Sequence, residues 1–364
     1  MALNEDFLEK ICLDRWGRGA SSRNSLVATR SDHCWGDDPA DQLHDSYLQP
    51  LGLLADGLHV GLCGAGSPFP DTKRSGPCTV VVAGRRMFVF DSGSGASRNI
   101  ARMRLNSGQI EALFLTHYHS DHIDGLGELM LQRWIQGEAS IPVPIYGPPG
   151  LETVINGFNN AYTLDKGYRI AHHGESVAPP DGFGGRPMVF DLPIEGSRKV
   201  LISEPDLEIA AFAVQHSPAS PAVGYKIRYK DRSIVISGDT KKVASVAREA
   251  VGADLLVHEA LSPVLLALLQ QGFDRAKRAN LSHIMHDVVG YHTTPEEAAE
   301  IAQSAGVKAL VLNHIVPPLP LQGLDPVFLQ KAKKIYDGPL RIGEDGDWFS
   351  LPAGSTAVEM GKRL

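Results

Sequence analysis

The sequence predicts an α/β sandwich: two similar β-rich halves packed face to face, helices on the outside, and a site along one edge. Three observations predict it. Short β-rich runs ended by glycine or turn residues begin at His59, helical stretches fall between them, and in both halves strands run into polar, metal-type residues.

In chain order, residues 1–55 carry scattered charges and turn-rich text such as SDHCWGDDPADQ, with one weak helical stripe at Phe7, Leu8, Ile11 and Leu13. They read as an N-terminal arm, either a disordered leader or a segment that packs on the domain or on a second subunit. The main domain is expected over 56–352. It starts with HVGLCGAG, CTVVVAG and RMFVFDSG, three consecutive strand candidates that suit an antiparallel meander. IEALFLTH follows as an almost uninterrupted apolar strand, as a sheet covered on both faces requires. LGELMLQRWIQ has helical periodicity, IPVPIYGPPG reads as strand and turn, and LETVINGFNNAY as a second helix.

The second half repeats this grammar. LEIAAFAVQH, AVGYKIRYKDRSIVISGD and ADLLVHEA read as strands, with YKDRS turning a hairpin inside the second. TPEEAAEIAQSAG is a helix with Thr294 as N-cap, Pro295 at its first position and Gly306 beyond its end. VKALVLNH is a strand ending in histidine, and 353–364 reads as a C-terminal tail.

Bulk properties limit the function classes. With 364 residues, 43% hydrophobic and 21% charged, the chain can bury a substantial core and is neither disordered nor fibrous. A net charge of −7 argues against a broad nucleic-acid surface, though it leaves room for a local basic patch, and nucleic acid is not an expected partner. Cys12, Cys34, Cys63 and Cys78 form no CxxC pair and read as buried thiols. The N-terminus lacks an apolar signal core and no stretch is long enough to span a membrane, so a cytoplasmic enzyme is expected.

Chemistry concentrates in THYHSDH, residues 116–122. A lone histidine is more often a core or surface residue than a ligand. Four metal-type side chains on one tight turn, His117, His119, Asp121 and His122, would be costly to bury unpaired, so a metal is their natural partner. His117 and His119 point one way from an extended turn while Asp121 and His122 turn toward a second position, which matches two metals better than one.

THYHSDHIDGL resembles the signature of the metallo-β-lactamase superfamily. GAGSPFPDTKRSGPCTVV and FVFDSG are similar to its tRNase Z and arylsulfatase-type branch, and SGDT, HEA, YHTTPEEAAEIA and LVLNH follow in that branch's order. The resemblance covers about residues 58–350 and implies an αββα sandwich. Carried over position by position, it implies one metal on His117, His119 and His216, a second on Asp121, His122 and His314, and Asp239 bridging. Two zinc ions are the implied cofactors; manganese or iron suits the same ligands. Water between two cations becomes hydroxide near neutral pH and is the expected nucleophile, which Asp121 also orients. On their own, His216 belongs to no stand-alone motif and Asp239 reads equally as a turn aspartate. Glu259 and His292 resemble the branch's leaving-group pair, in which a carboxylate orients an imidazole that protonates the departing oxygen; the bland reading of Glu259 is a buried structural partner. His258 reads as a support behind the ligands, and His283 and His286 as surface or lid residues.

Two departures from the branch shape the expected substrate. In tRNase Z a long arm that grips tRNA lies between the positions of His216 and Asp239, and here that interval holds only one hairpin. Residues 157–200 form an insertion instead, with a PPDGFGGRP loop and with Tyr162, Tyr168, Arg169, His172 and His173. It reads as a lid, with Arg169 as an anion contact, or as a plain surface loop. The expected activity is therefore hydrolysis of a phosphodiester or similar small-molecule ester. An arylsulfatase or a lactone or carboxylic ester hydrolase is the alternative, and tRNA 3′ processing a minor one. The oligomeric state stays open between monomer and homodimer.

Overall fold

A computed structural model describes residues 51–364. The chain divides into two units, Met1–His44 and Asp45–Leu364. The first lies outside the described residues, as do Cys12, Cys34 and all of the expected arm except 51–55.

Strands β1 (Gly57–Gly64), β2 (Cys78–Ala83), β3 (Arg86–Phe90), β4 (Ile110–Phe114), β5 (Val143–Gly147) and β6 (Gly185–Val189) build the first sheet. The second holds β7 (Lys199–Ser203), β8 (Leu207–Ala213), β9 (Val223–Tyr229), β10 (Arg232–Ile236), β11 (Leu255–Leu261), β12 (Leu310–Val316) and β13 (Leu340–Ile342). The chain then returns to the first sheet with β14 (Asp347–Pro352) and β15 (Glu359–Lys362), giving orders β15-β14-β1-β2-β3-β4-β5-β6 and β13-β12-β11-β10-β9-β8-β7. The expected meander is present, since β1, β2 and β3 pair antiparallel. The expected tail is not free: β15 pairs with β14, and Arg232 donates to the carbonyls of Ser355 and Ala357.

Strand alternation explains the layers. On β2, Val81 joins Phe88, Phe90, Phe114 and Tyr225 between the sheets, while Val80 and Val82 face the outer helices. Those helices are α1 (Ala96–Arg102), α2 (Ser120–Ile123), α3 (Leu126–Gln136), α4 (Leu151–Ala161) and α5 (Thr163–His173) in the first half. The second half has α6 (Ala244–Glu249), α7 (Pro263–Arg275), α8 (Ala279–Asp287), α9 (Pro295–Ala305), α10 (Asp325–Leu329) and α11 (Ala332–Ile335). The α9 start is capped as its sequence requires: Thr294 and Glu297 form a reciprocal capping box, and Gly306 closes the helix at φ 64°. Among the described residues no helix is long and apolar enough to cross a membrane.

Two features depart from the sequence reading. The 157–200 insertion is mostly regular structure, comprising the end of α4, all of α5, the edge strand β6 and the start of the edge strand β7. Cys63 and Cys78 are joined in a disulfide across the β1–β2 pair, with Cα atoms 5.0 Å apart, and are not the free thiols expected.

Candidate metal centre

The strands deliver their polar ends to one edge. Strands β10, β11 and β12 run parallel, so Asp239, just after β10, and His314, near the end of β12, reach the same side of the sheet. His314 is the extra residue where the β11–β12 register shifts: Glu259 lies opposite Asn313 and Ala260 opposite Ile315. It sits at φ 46°, and the bulge re-aims its side chain into the site. From the first sheet, β4 leads into Thr116–His122. The turn is seated on Gly93, where a Cβ would come 2.3 Å from the Asp121 carbonyl oxygen; no larger residue fits there.

The structure brings all seven expected ligands together in two groups. In one, His119 Nδ1 lies 3.0 Å from His117 Nε2 and 3.2 Å from His216 Nε2. In the other, His314 Nε2 lies 3.2 Å from Asp121 Oδ2, which is 3.5 Å from His122 Nε2. Asp239 Oδ2 stands between them, 3.2 Å from His314, 3.3 Å from His122, 3.7 Å from His216 and 3.9 Å from His117. A tetrahedral zinc with bonds of 2.0–2.1 Å has ligand-to-ligand edges of about 3.3 Å. The separations of 3.0–3.5 Å are those of such edges, while Asp239 Oδ2 stands somewhat farther from His216 and His117.

Hydrogen bonds on the far side of the rings fit the same reading. His122 Nδ1 donates to Asp91 Oδ2 at 2.8 Å, leaving its buried Nε2 without a hydrogen-bond partner and directed at the two acids. His216 Nδ1 donates to the Tyr291 carbonyl at 3.0 Å, so its Nε2 lone pair faces the group. Burial pushes His117 and His216 toward the neutral imidazole, the form that ligates. At His122 burial is outweighed by Asp239, Asp91 and Asp121, which draw positive charge to that ring; this concentration of negative charge on an orphaned buried nitrogen, with two imidazoles held neutral, is a donor set that fits divalent metal.

Asp91 and Tyr291 went unread in the sequence. Asp91 also accepts from the Thr116 amide and hydroxyl, both at 2.8 Å, tying the end of β3 to the histidine turn. Its acid directly after an apolar strand in FVFDSG was the available signal; the Tyr291 carbonyl, a backbone group, left none.

Beside the ligands, His292 Nδ1 donates to Glu259 Oε1 at 3.0 Å. The same oxygen accepts from the Thr240 and Thr293 amides, each at 3.1 Å. Burial opposes protonation of His292, but the Glu259 carboxylate outweighs it and raises the pKa. A cavity of about 380 Å³ opens here, with His119, Asp121, Asp239, His292 and His314 on one side and Phe69, Ile284, Val288 and Val316 on the other. Arg169 is not brought to it: on α5 it pairs with Asp165 at 2.8 Å, and no residue of 157–200 is among those that line this cavity. His283 and His286 are exposed on α8, and His258 is fully buried.

A β-lactamase superfamily domain matches residues 86–315. Ribonuclease Z of Mycolicibacterium gilvum (strain PYR-GCK) is 35% identical over 290 residues, covering 79% of this chain and 94% of that protein. The chain belongs to the metallo-β-lactamase superfamily, in its ribonuclease Z branch. Ribonuclease Z of Mycobacterium bovis (strain BCG / Pasteur 1173P2) is another member, 33% identical over 293 residues, with 79% of this chain and 96% of that protein covered. Two solved structures share the superfamily fold, each with a TM-score of 0.57. The metallo-β-lactamase fold protein YhfI from Bacillus subtilis is 20% identical, covering 80% of this chain and 99% of its own. The short form of human tRNase Z is 24% identical, with 81% and 99% covered.

Membership makes the chain a metal-dependent hydrolase of ester bonds, with His and Asp clusters suited to a divalent ion, typically zinc. It also corrects the expected partner. The relatives are ribonucleases by name, so a small-molecule ester as the expected substrate, with nucleic acid as an unlikely partner, does not stand. The expectation leaned on an acidic total and on the short interval between His216 and Asp239, and neither limits what another part of the surface can bind.

Proposed function

We propose that this chain is an endoribonuclease that cuts a phosphodiester bond of RNA, with tRNA 3′ processing as its role and two zinc ions as its cofactors. The observation that carries the reading is the pair of donor groups sharing Asp239 Oδ2, set beside the His292–Glu259 pair on a cavity open to substrate. The names of the relatives, ribonuclease Z, supply the substrate class.

His117, His119 and His216 would hold one ion, Asp121, His122 and His314 the other, and Asp239 both. Bound there, the ions supply Lewis acidity for the attacked phosphoryl group and lower the pKa of water. Asp121 lies on the cavity wall, where its carboxylate orients the attacking water. His292 faces the same cavity and protonates the departing sugar oxygen. Glu259 holds the imidazole through Nδ1, so that Nε2 carries the proton to be given. Its second oxygen is buried and without a partner, which keeps the carboxylate's hydrogen bonds on Oε1.

Incubating the zinc-loaded chain with a tRNA precursor carrying a 3′ extension tests the reading. Endonucleolytic release of the extension, with two zinc ions per chain by elemental analysis, is the expected result. Intact precursor in the presence of a full metal complement would sink it.

A further inference from the structure

We propose that the α7–α8 hairpin is the RNA grip of this chain, with the exposed Arg275, Lys277 and Arg278 at its tip binding backbone phosphates of the RNA held at the adjoining site. The proposal rests on the ribonuclease reading above and adds where the polyanion is held.

An RNA-cleaving site needs cations for phosphates beyond the one attacked. Nothing protrudes between His216 and Asp239 to supply them, because β9 and β10 occupy that interval as a plain hairpin paired within the sheet. The element that does stand at the site is inserted between its two leaving-group residues. Helix α7 begins four residues after Glu259, and α8 leads through a single 3₁₀ turn, Val288–Tyr291, into His292. Both feet are fixed: Ser262 caps α7 by accepting from Leu265 and donates its own amide to Val316, while Tyr291 receives the His216 ring. On the inner side Ile284 of α8 and Val288 of the 3₁₀ turn that follows it reach the cavity wall, so whatever fills the cavity lies against the foot of the hairpin.

The tip is built to present charge. Thirteen residues of α7 carry it about 20 Å along the helix axis from its foot. There Phe273 turns inward onto a small core that includes Leu266, Met285 and Val288, and the turn closes on itself through Lys277 N to the Asp274 carbonyl and Arg278 N to the Phe273 carbonyl. Arg275, Lys277 and Arg278 are exposed, and among the described residues no carboxylate pairs with any of them. Asp274 is the one acid within the turn, which leaves it with a net charge of about +2, in a chain whose total is −7. Three cations on a turn whose backbone is already closed by its own hydrogen bonds can each meet a phosphate without the turn having to be ordered on binding.

The test is the full-length triple variant R275A/K277A/R278A, checked for an unchanged melting temperature and compared with the parent on a labelled 3′-extended tRNA precursor. Binding is followed by fluorescence anisotropy in metal-free protein, and cleavage in zinc-loaded protein, each over a range of salt. The proposal expects RNA affinity to fall at least ~10-fold, and the slope of log affinity against log salt to shrink by about two to three, one cation per phosphate. If the parent binds but does not cut, the same loss of affinity still supports the grip and only the ribonuclease reading falls. Affinity and slope equal to the parent's overturn the grip even where cleavage is observed. It is equally overturned if the parent fails to bind the RNA at low salt, or if L268D/L269D on the exposed face of α7 converts a dimer to a monomer while RNA binding ignores the tip.

Discussion

Four of the seven converging side chains come from one turn, His117 to His122, and three arrive singly at positions 216, 239 and 314. The first region is dense in sequence, and its geometry is local: a strand end, a short helix and a glycine seat hold four donors within six residues. The second is dispersed, and its geometry is topological. Parallel strands β10, β11 and β12 end on one edge, so residues far apart in the chain become neighbours. Density makes a motif readable, whereas convergence does the same chemical work without one.

Replacing Asp239 by alanine should have the largest effect, because its Oδ2 faces histidines of both regions. Activity is expected to fall on the order of 10³-fold or more, with metal content dropping below one ion per chain by elemental analysis. Retention of two ions would show that the groups do not depend on the shared oxygen. A finer comparison sets His117→Ala, inside the motif, against His216→Ala, outside it. Both are donors of one group, so each should lose one ion and about 10²–10³-fold in activity. A tenfold smaller loss for His216 would mean that the dispersed region is the weaker partner. Smallest is Glu259→Gln, a positioning change that leaves metal content intact. Turnover on RNA is expected to fall about 10–100-fold, and the loss should shrink on a nitrophenyl phosphodiester, whose leaving group departs unprotonated. Equal losses on both substrates would remove His292 as the acid that Glu259 positions.

The same contrast explains what could be read in the sequence. Both β-rich halves, the α9 caps and the histidine turn follow from periodicity and local residue types. His216, Asp239, His314, Glu259 and His292 needed the family resemblance, since each is an ordinary residue until the strands bring it to the edge. Strands β6 and β7 sit in text rich in glycine and proline, where only the neighbouring sheet edge creates a strand. The Cys63–Cys78 bond depends on β1–β2 register, which cysteine spacing does not encode. The α7–α8 hairpin was missed as an element, and with it the local charge at Arg275, Lys277 and Arg278 that the acidic total conceals.

An ion held across the two sheets is also a cross-link. His119 and His216 are 97 residues apart in the chain, and Asp121 and His314 are 193 apart. In the unfolded chain, closing a loop of about 100 residues costs on the order of 4–5 kcal/mol of entropy. Donors drawn from both halves would thus make a bound metal a clasp as well as a reagent, loaded only once both sheets have folded.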